Sequence, residues 1–392
     1  MKTFIKNTVL FLVLLAYPFV CSPQSTSKIV TGAQQIELYL PLLQNKNIGL
    51  VGNHNSLIWN DNNPIHLVDH LINLGVRLKK VYGPEHGFRG EAPDGEIISD
   101  TKDQKTGIPI VSLYGKNKKP SPQQLKDIDI VLFDMQSVGV RFYTYLSTLQ
   151  LVMEACAENN VALIILDRPN PNGHYVDGPV LDLKYKTVVG MHPIPIVYGM
   201  TLGEMAQMIR GEGWIKAPES LSIKIIPLQN YRHQKGIELP FPPSPNLPNA
   251  QSIALYPSLC LLEPTTVSIG RGTDMQFQLY GHPEFDSNFQ FTPKPNPGSK
   301  YPKWNGKVCK GVDLRRETKP QQIRLKYLLE AYASSKDKDG FFLDSFERIA
   351  GNGLLRKQIK QGWNSNQIRA SWEPKLSQFK KKRKQYLLYP DE

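Results

Sequence analysis

Cysteine is scarce in this chain, four in 392 residues, and no pair has C-x-x-C spacing. Neither a disulfide framework nor a thiolate metal centre is therefore expected. If Cys21 leaves with an N-terminal leader, Cys156, Cys260 and Cys309 remain, and at most one bridge, Cys260–Cys309, is conceivable. Cys156, inside the apolar pattern LVMEACA, reads as a core residue. Nucleotide fingerprints are missing as well. GLVGNHN lacks the G-x-G-x-x-G spacing and no G-x-x-x-x-G-K-[ST] occurs, so no cofactor is expected. The absence of G-x-S-x-G argues against an α/β-hydrolase nucleophile. His66 and His70 stand one helical turn apart without the glutamate of H-E-x-x-H, and read as polar positions of an ordinary helix.

What is present begins with an export pattern. MKTFIKN supplies two lysines, and TVLFLVLLAYPFV is an apolar run of thirteen residues, too short to span a membrane comfortably. Residues 1–27 are read as a signal peptide, with a periplasmic or secreted destination. Cys21 follows the run as a lipid-anchored precursor would have it, but Pro18-Phe19-Val20 lacks the small residue such processing uses. A formal charge of +12 would suit nucleic acid, anionic surfaces or anionic small substrates, and export argues against the first. The lysines clustered at 380–384 read as a solvated helix face.

From residue 47 short apolar β-rich runs alternate with helical patterns. NIGLVGN (47–53), LKKVYGPEH, IPIVSLYG (108–115), DIVLFDMQ (129–136) and ALIILDRPN (162–170) read as strands. HLVDHLINLG (66–75), PSPQQLKDID and YTYLSTLQLVMEACAENN (143–160) read as helices. Strands apolar on both faces and separated by helices indicate a doubly wound α/β domain with a parallel sheet, assigned to 28–190. Residues 191–392 are read as a second α+β domain. It contains a helix with a Thr201…Glu204 capping box, a rigid Pro-rich loop PFPPSPNLPN (240–249) and a helix at 320–335.

In a parallel sheet ligands bind beyond the carboxyl ends of the strands. Those ends deliver Asn53-His54, Glu85-His86, Asp134-Met135-Gln136 and Asp167-Arg168-Pro169-Asn170 to one edge. Turn chemistry accounts for Asn and Asp there but poorly for Glu-His and Asp-Arg. The loop YGPEHGFRGEAPDGE (82–96) is the densest in charge, with four carboxylates, His86 and Arg89. A buried strand leads directly into Glu85, and apolar surroundings favour the protonated form that a glycosidase general acid requires. His86 could tune it. Asp94 and Glu96 read as solvated turn residues, and Glu91 lies farther into the loop.

Those residues lie in stretches that resemble one family throughout. YGPEHGFRGE, SLYG, DMQSVGVRFYTYLSTL, LDRPNP, PIVYGMTLGE, PPSPNLP, LYPSLCLLEPTTVSIGRGT and YLLYP look like the exo-β-N-acetylmuramidase (NamZ-type) family of peptidoglycan hydrolases, in order over residues 40–390. The resemblance implies a Rossmann-like N-terminal domain, a smaller C-terminal domain and an active site in the cleft between them. It implies a glycoside hydrolase releasing N-acetylmuramic acid from non-reducing ends of peptidoglycan-derived glycans, with Glu85 as the catalytic glutamate. Arg141, Tyr143, Asp167, Arg168, Asn170 and Tyr198 match its motif positions, and Glu263 and Arg271 match the second domain's contribution. Related sequences read F-E-G-T-N where this chain has L-E-P-T-T (262–266), so Pro264 replaces a glycine.

The lactyl carboxylate of muramic acid calls for a cation, and Arg141, Arg168 and Arg271 are the candidates. Each could instead staple a loop to the sheet. Tyr143 and Tyr198 could stack on sugar faces, while Tyr145 reads as core. The second catalytic group is Glu263, Glu91 or Asp167, or the substrate's own acetamido group. Two other readings stand beside this one: a non-catalytic muropeptide-binding protein, and a metal-dependent hydrolase using His54, His86 and Asp134.

Overall fold

The protein is described by a computed structural model over residues 28–60, 63–84, 88–89, 101–234 and 236–391. The leader at 1–27 with Cys21, and Glu85, His86, Glu91, Asp94 and Glu96, lie outside the described residues.

The β-rich runs form strands β1 (Asn47–Gly52), β2 (Leu57–Asn60), β3 (Asn63–His66), β4 (Arg77–Gly83), β5 (Thr101–Lys102), β6 (Pro109–Ser112), β7 (Ile130–Asp134), β8 (Ala162–Leu166) and β9 (Ile223–Ile226). Among the described residues seven of them make one sheet, ordered β5-β6-β4-β1-β7-β8-β9. It is parallel except for the antiparallel edge strand β5. The strands alternate between two cores rather than between core and solvent. Ile48, Leu50, Ile130, Leu132, Ile164 and Leu166 join one cluster with Tyr39 and Leu71. Val51, Val131, Phe133, Leu163 and Ile165 join a larger one on the other face. A sheet apolar on both sides must be covered on both sides, and that is the doubly wound arrangement expected. Gly49 lacks a side chain for a reason, because a Cβ there would stand 2.7 Å from the Tyr82 ring.

The first face carries α1 (Ile36–Leu43) and α2 (Leu67–Asn73). Gly75, at φ +74°, follows α2 where the chain must turn into β4. Helices α3 (Pro122–Leu125), α4 (Tyr145–Glu158) and α5 (Leu202–Gly211) follow in the chain, and α4 and α5 cover the other face. The Thr201–Glu204 capping box forms both of its reciprocal bonds, 2.8 and 3.2 Å. The large core continues into α6 (Ala250–Leu259), α7 (Lys326–Ser334), α8 (Phe346–Ala350), α9 (Leu355–Lys360) and α10 (Ser365–Arg383). A small antiparallel sheet, β10 (Leu279–His282), β12 (Cys309–Asp313) and β11 (Phe289–Phe291), completes the second half.

Three features depart from the sequence reading. The sheet does not stop at residue 190, since β9 forms one of its edges and α5 packs on its face. The hairpin β2–β3 stands between the first strand and its helix. Cys260 and Cys309 are both free and buried, in separate core clusters, so the conceivable bridge is not formed. Cys156 is a core residue, as its apolar surroundings suggested. No described helix is long and apolar enough to cross a membrane.

Candidate active site

The polar residues at the strand ends are bound to one another before any ligand arrives. Asn53 donates through Nδ2 to Tyr145 Oη (2.8 Å) and accepts the Asn55 amide on Oδ1. Its carbonyl meets His66 Nε2 at 3.0 Å, while His66 Nδ1 accepts from Val68 N at the start of α2. The helix histidine thus caps α2 and fixes the Asn53 turn. Burial holds its imidazole neutral, with the pKa down to about 4. At the next strand ends, Asp134 takes a fork from Arg168 (2.5 and 2.8 Å), whose other donation is to Leu57 O in the hairpin.

Asp167 accepts four bonds, from the Arg168 and Gly203 amides, Thr201 Oγ1 and Tyr389 Oη. Burial nonetheless pushes its carboxyl up to about 6. It joins β8, α5 and the C-terminal YLLYP segment. Asn170 donates to Met200 O and accepts from Asn172 N, and Gln136 donates to the Ser137 and Pro169 carbonyls. Gly139, at φ +73°, packs so close to Asn170 that a Cβ would fall 2.0 Å from its Oδ1. Tyr198 is fully buried against Ser137. Arg141 is buried too, and its two terminal nitrogens donate to four carbonyls, of Pro179, Ile194, Ile349 and Ala350. Arg89 forks onto Asp103 and reaches Asp69. These contacts are those of residues that tie loops to the sheet.

A pocket of about 270 Å³ lies beside this edge. That is close to the small end of ligand pockets, roughly 300 Å³. Its walls come from Tyr143 just before α4 and Tyr145 at its start, the Pro-rich loop (Ser244, Asn246), α6 with the following residue (Tyr256, Cys260), and Glu263, Arg271 and Phe277. Tyr143 donates to Pro243 O (2.9 Å) and meets Tyr145 edge to face. Asn55 donates to Pro242 O, so the Pro-rich loop is held against the end of β1. Tyr145, read as core, is buried and also lines the pocket.

Of the residues singled out from the sequence, Tyr143, Glu263 and Arg271 meet here. Arg271 Nε donates to Glu263 Oε1 at 2.6 Å and Cys260 Sγ donates to Oε2 at 3.3 Å, with the guanidinium over the Phe277 ring. Pro264, in place of the family's glycine, leaves the turn intact: its carbonyl accepts from Leu343 N, and Thr265 N closes back on Leu262 O. Asn53 reaches the pocket through Tyr145. Arg141, Asp167, Asn170, Gln136, Arg168 and Tyr198 are not among its wall residues. Of the metal-dependent set, His86 lies outside the described residues, Asp134 is engaged by Arg168, and His54 Nε2 lies 2.9 Å from Asn55 Nδ2. Among the described residues no three His, Cys, Asp or Glu side chains gather as metal ligands.

Sequence reasoning missed Tyr256, Asn246 and Cys260 as wall residues. Asn246 stands in the PPSPNLP motif, and Tyr256 and Cys260 in LYPSLCLLEP, so a signal existed.

Comparison with known proteins bears on what this pocket is. Residues 48–251 match the family model described as exo-beta-N-acetylmuramidase NamZ, N-terminal, and residues 254–389 its C-terminal counterpart. The chain is 36% identical over 379 residues to the peptidoglycan beta-N-acetylmuramidase NamZ of Bacillus subtilis (strain 168), covering 90% of this chain and 89% of that protein. Two crystal structures of DUF1343 family proteins from Bacteroides fragilis NCTC 9343 superimpose on it. One is 46% identical with a TM-score of 0.85, covering 93% of this chain and all of that one. The other is 29% identical with a TM-score of 0.79, covering 92% and 99%. With both domain models matched in order over most of its length, the chain belongs to the exo-β-N-acetylmuramidase NamZ family.

Proposed function

We propose that the protein is an exported glycoside hydrolase that releases N-acetylmuramic acid from the non-reducing end of peptidoglycan fragments, with Glu85 as general acid. The observation that carries the reading is the pocket itself. It is walled by tyrosines and phenylalanine, suited to sugar faces, contains one arginine–carboxylate pair, and meets the carboxyl-end edge of the parallel sheet through Tyr145, which is bonded to Asn53. Glu85 follows Pro84 directly after β4, whose neighbour β1 ends in the turn bonded to pocket-lining Tyr145. Arg271 is the cation nearest to the role of recognising the lactyl carboxylate, and Glu263 the carboxylate available to hold and orient it or to act opposite Glu85. The leader pattern of residues 1–27 supports export. The test is release of a chromogenic aglycone from an N-acetylmuramic acid glycoside. Glu85→Gln should abolish turnover while leaving the melting temperature unchanged. A folded Glu85→Gln protein that still turns over would overturn the assignment, as would saturable muropeptide binding by the native protein with no reducing ends generated.

A further inference from the structure

Of the carbonyls on the turn that carries Glu263, that of Pro264 accepts from Leu343 N. Three others converge on one side chain. Lys303 Nζ donates to Glu263 O (2.5 Å), Thr265 O (2.6 Å) and Val267 O (3.3 Å), which uses all three donors of the ammonium. Its neighbour Trp304 donates through Nε1 to Thr266 O at 2.8 Å. Four carbonyls between 263 and 267 are therefore held from outside by residues some forty positions later in the chain. The side chains that this turn presents, Glu263 and its partner Arg271, face the pocket.

We propose that Lys303 is a positioning residue for this site: by clamping the carbonyls of Glu263, Thr265 and Val267, it sets where the Glu263 carboxylate and the Arg271 guanidinium meet the acidic sugar. The inference rests on the reading of the pocket as the muramic acid site. A lysine suits the task because an ammonium on a flexible stem can satisfy three carbonyls that do not lie in one plane, whereas a guanidinium donates in a planar fork. The titratable groups facing it are Glu263, Arg271 and the Cys260 thiol, which burial keeps protonated. Burial opposes its charge and Glu263 supports it, leaving the ammonium to titrate near about 8. A neutral amine has two donors for three carbonyls, so the clamp loosens as pH rises through that value.

The experiment uses the full chain, native and with Lys303→Met or Lys303→Arg. It records kcat and KM on the chromogenic N-acetylmuramic acid glycoside across about pH 6 to about pH 10, and calorimetric affinity for free N-acetylmuramic acid. Lys303→Met should lower kcat/KM by about 30-fold and weaken sugar binding by about tenfold, since small misplacements of reacting groups carry losses of that order. The native enzyme should show an alkaline limb near pH 8 that Lys303→Met lacks and that Lys303→Arg, which does not titrate, moves out of range. A folded Lys303→Met protein within about twofold of native in both turnover and binding overturns the proposal. Should Lys303→Met not fold, Lys303→Arg decides, because a limb retained near pH 8 would belong to another group. If the native protein binds the sugar without cleaving it, the hydrolase reading fails while the affinity ratio still tests Lys303. If it neither binds nor cleaves, the pocket reading fails and this inference falls with it.

Discussion

The molecule contains the same chemical pair at two depths. Asp134–Arg168 joins two strand ends under the hairpin, with side chains 0% and 6% exposed. Glu263–Arg271 joins two loop residues in the second half, with side chains 26% and 28% exposed. Both are arginine–carboxylate contacts, 2.5 and 2.6 Å at their shortest. The first is closed on all sides: both Asp134 oxygens accept from Arg168, which has turned its remaining bond to Leu57 O. The second opens onto a pocket. Depth, rather than residue type, separates a pair that organises the sheet edge from one that can meet a substrate.

The largest effect that would test this contrast is on stability. Removing one partner of a buried pair leaves the other charge uncompensated, at a cost of about 3–5 kcal/mol. Arg168→Ala should lose that much in urea unfolding, because Asp134 has no solvent to turn to. A loss below about 1 kcal/mol would mean that the two pairs are energetically alike and that depth does not distinguish them.

A smaller effect comes from His66, which anchors the Asn53 turn at the same closed edge. Its folded pKa is lowered from 6.5 to about 4, chiefly by burial. Above pH 6.5 the ring is neutral in both the folded and unfolded states and its contribution is whole. As pH falls from 6.5 toward 4 the unfolded chain takes up a proton that the folded state refuses, so stability is lost across that window. Near pH 4.5 the loss is about 2.5 kcal/mol. His66→Gln should remove that part of the acid dependence in paired pH-stability curves. Parallel curves for the two proteins would show that the imidazole titrates freely.

Much of the fold was readable because its periodicities are physical. Runs such as NIGLVGN and ALIILD carry apolar residues on both faces, and only a sheet covered on both sides buries them. The Thr201–Glu204 box, and Ser121 of PSPQQLKDID, which caps α3 by accepting from Gln124 N, also announced their helices. β9 escaped because Ile223–Ile226 is half exposed at the sheet edge and follows a long excursion through α5. The site was legible less evenly. Strand-end positions named the closed edge, yet whether Arg141 or Arg168 faces solvent or carbonyls depends on segments from 38 to 209 residues away. Glu263 and Arg271 were reached only through family resemblance, since nothing in the periodicity of LLEPTTVSIGRGT marks a pocket. Lys303 could not be reached at all, because its meaning lies in three carbonyls that no sequence pattern brings to it.

The smallest stability effect belongs to the open pair, and there the comparison is sharpest. Arg271 and Glu263 each retain contact with water, so their attraction is screened and worth at most about 1 kcal/mol. Arg271→Ala also leaves Phe277, packed under the guanidinium, with a somewhat more exposed ring. Unfolding midpoints should therefore move little, and the thermal trace should nearly overlay the native one. Ligand affinity should behave in the opposite way. If Arg271 meets the lactyl carboxylate, losing a charge-assisted contact of roughly 1.5–3 kcal/mol weakens binding of N-acetylmuramic acid by about 10- to 100-fold. Binding of N-acetylglucosamine, which lacks that carboxylate, should change far less. An Arg271→Ala protein that loses stability like Arg168→Ala, or that weakens both sugars equally, would place Arg271 among the closed structural pairs instead.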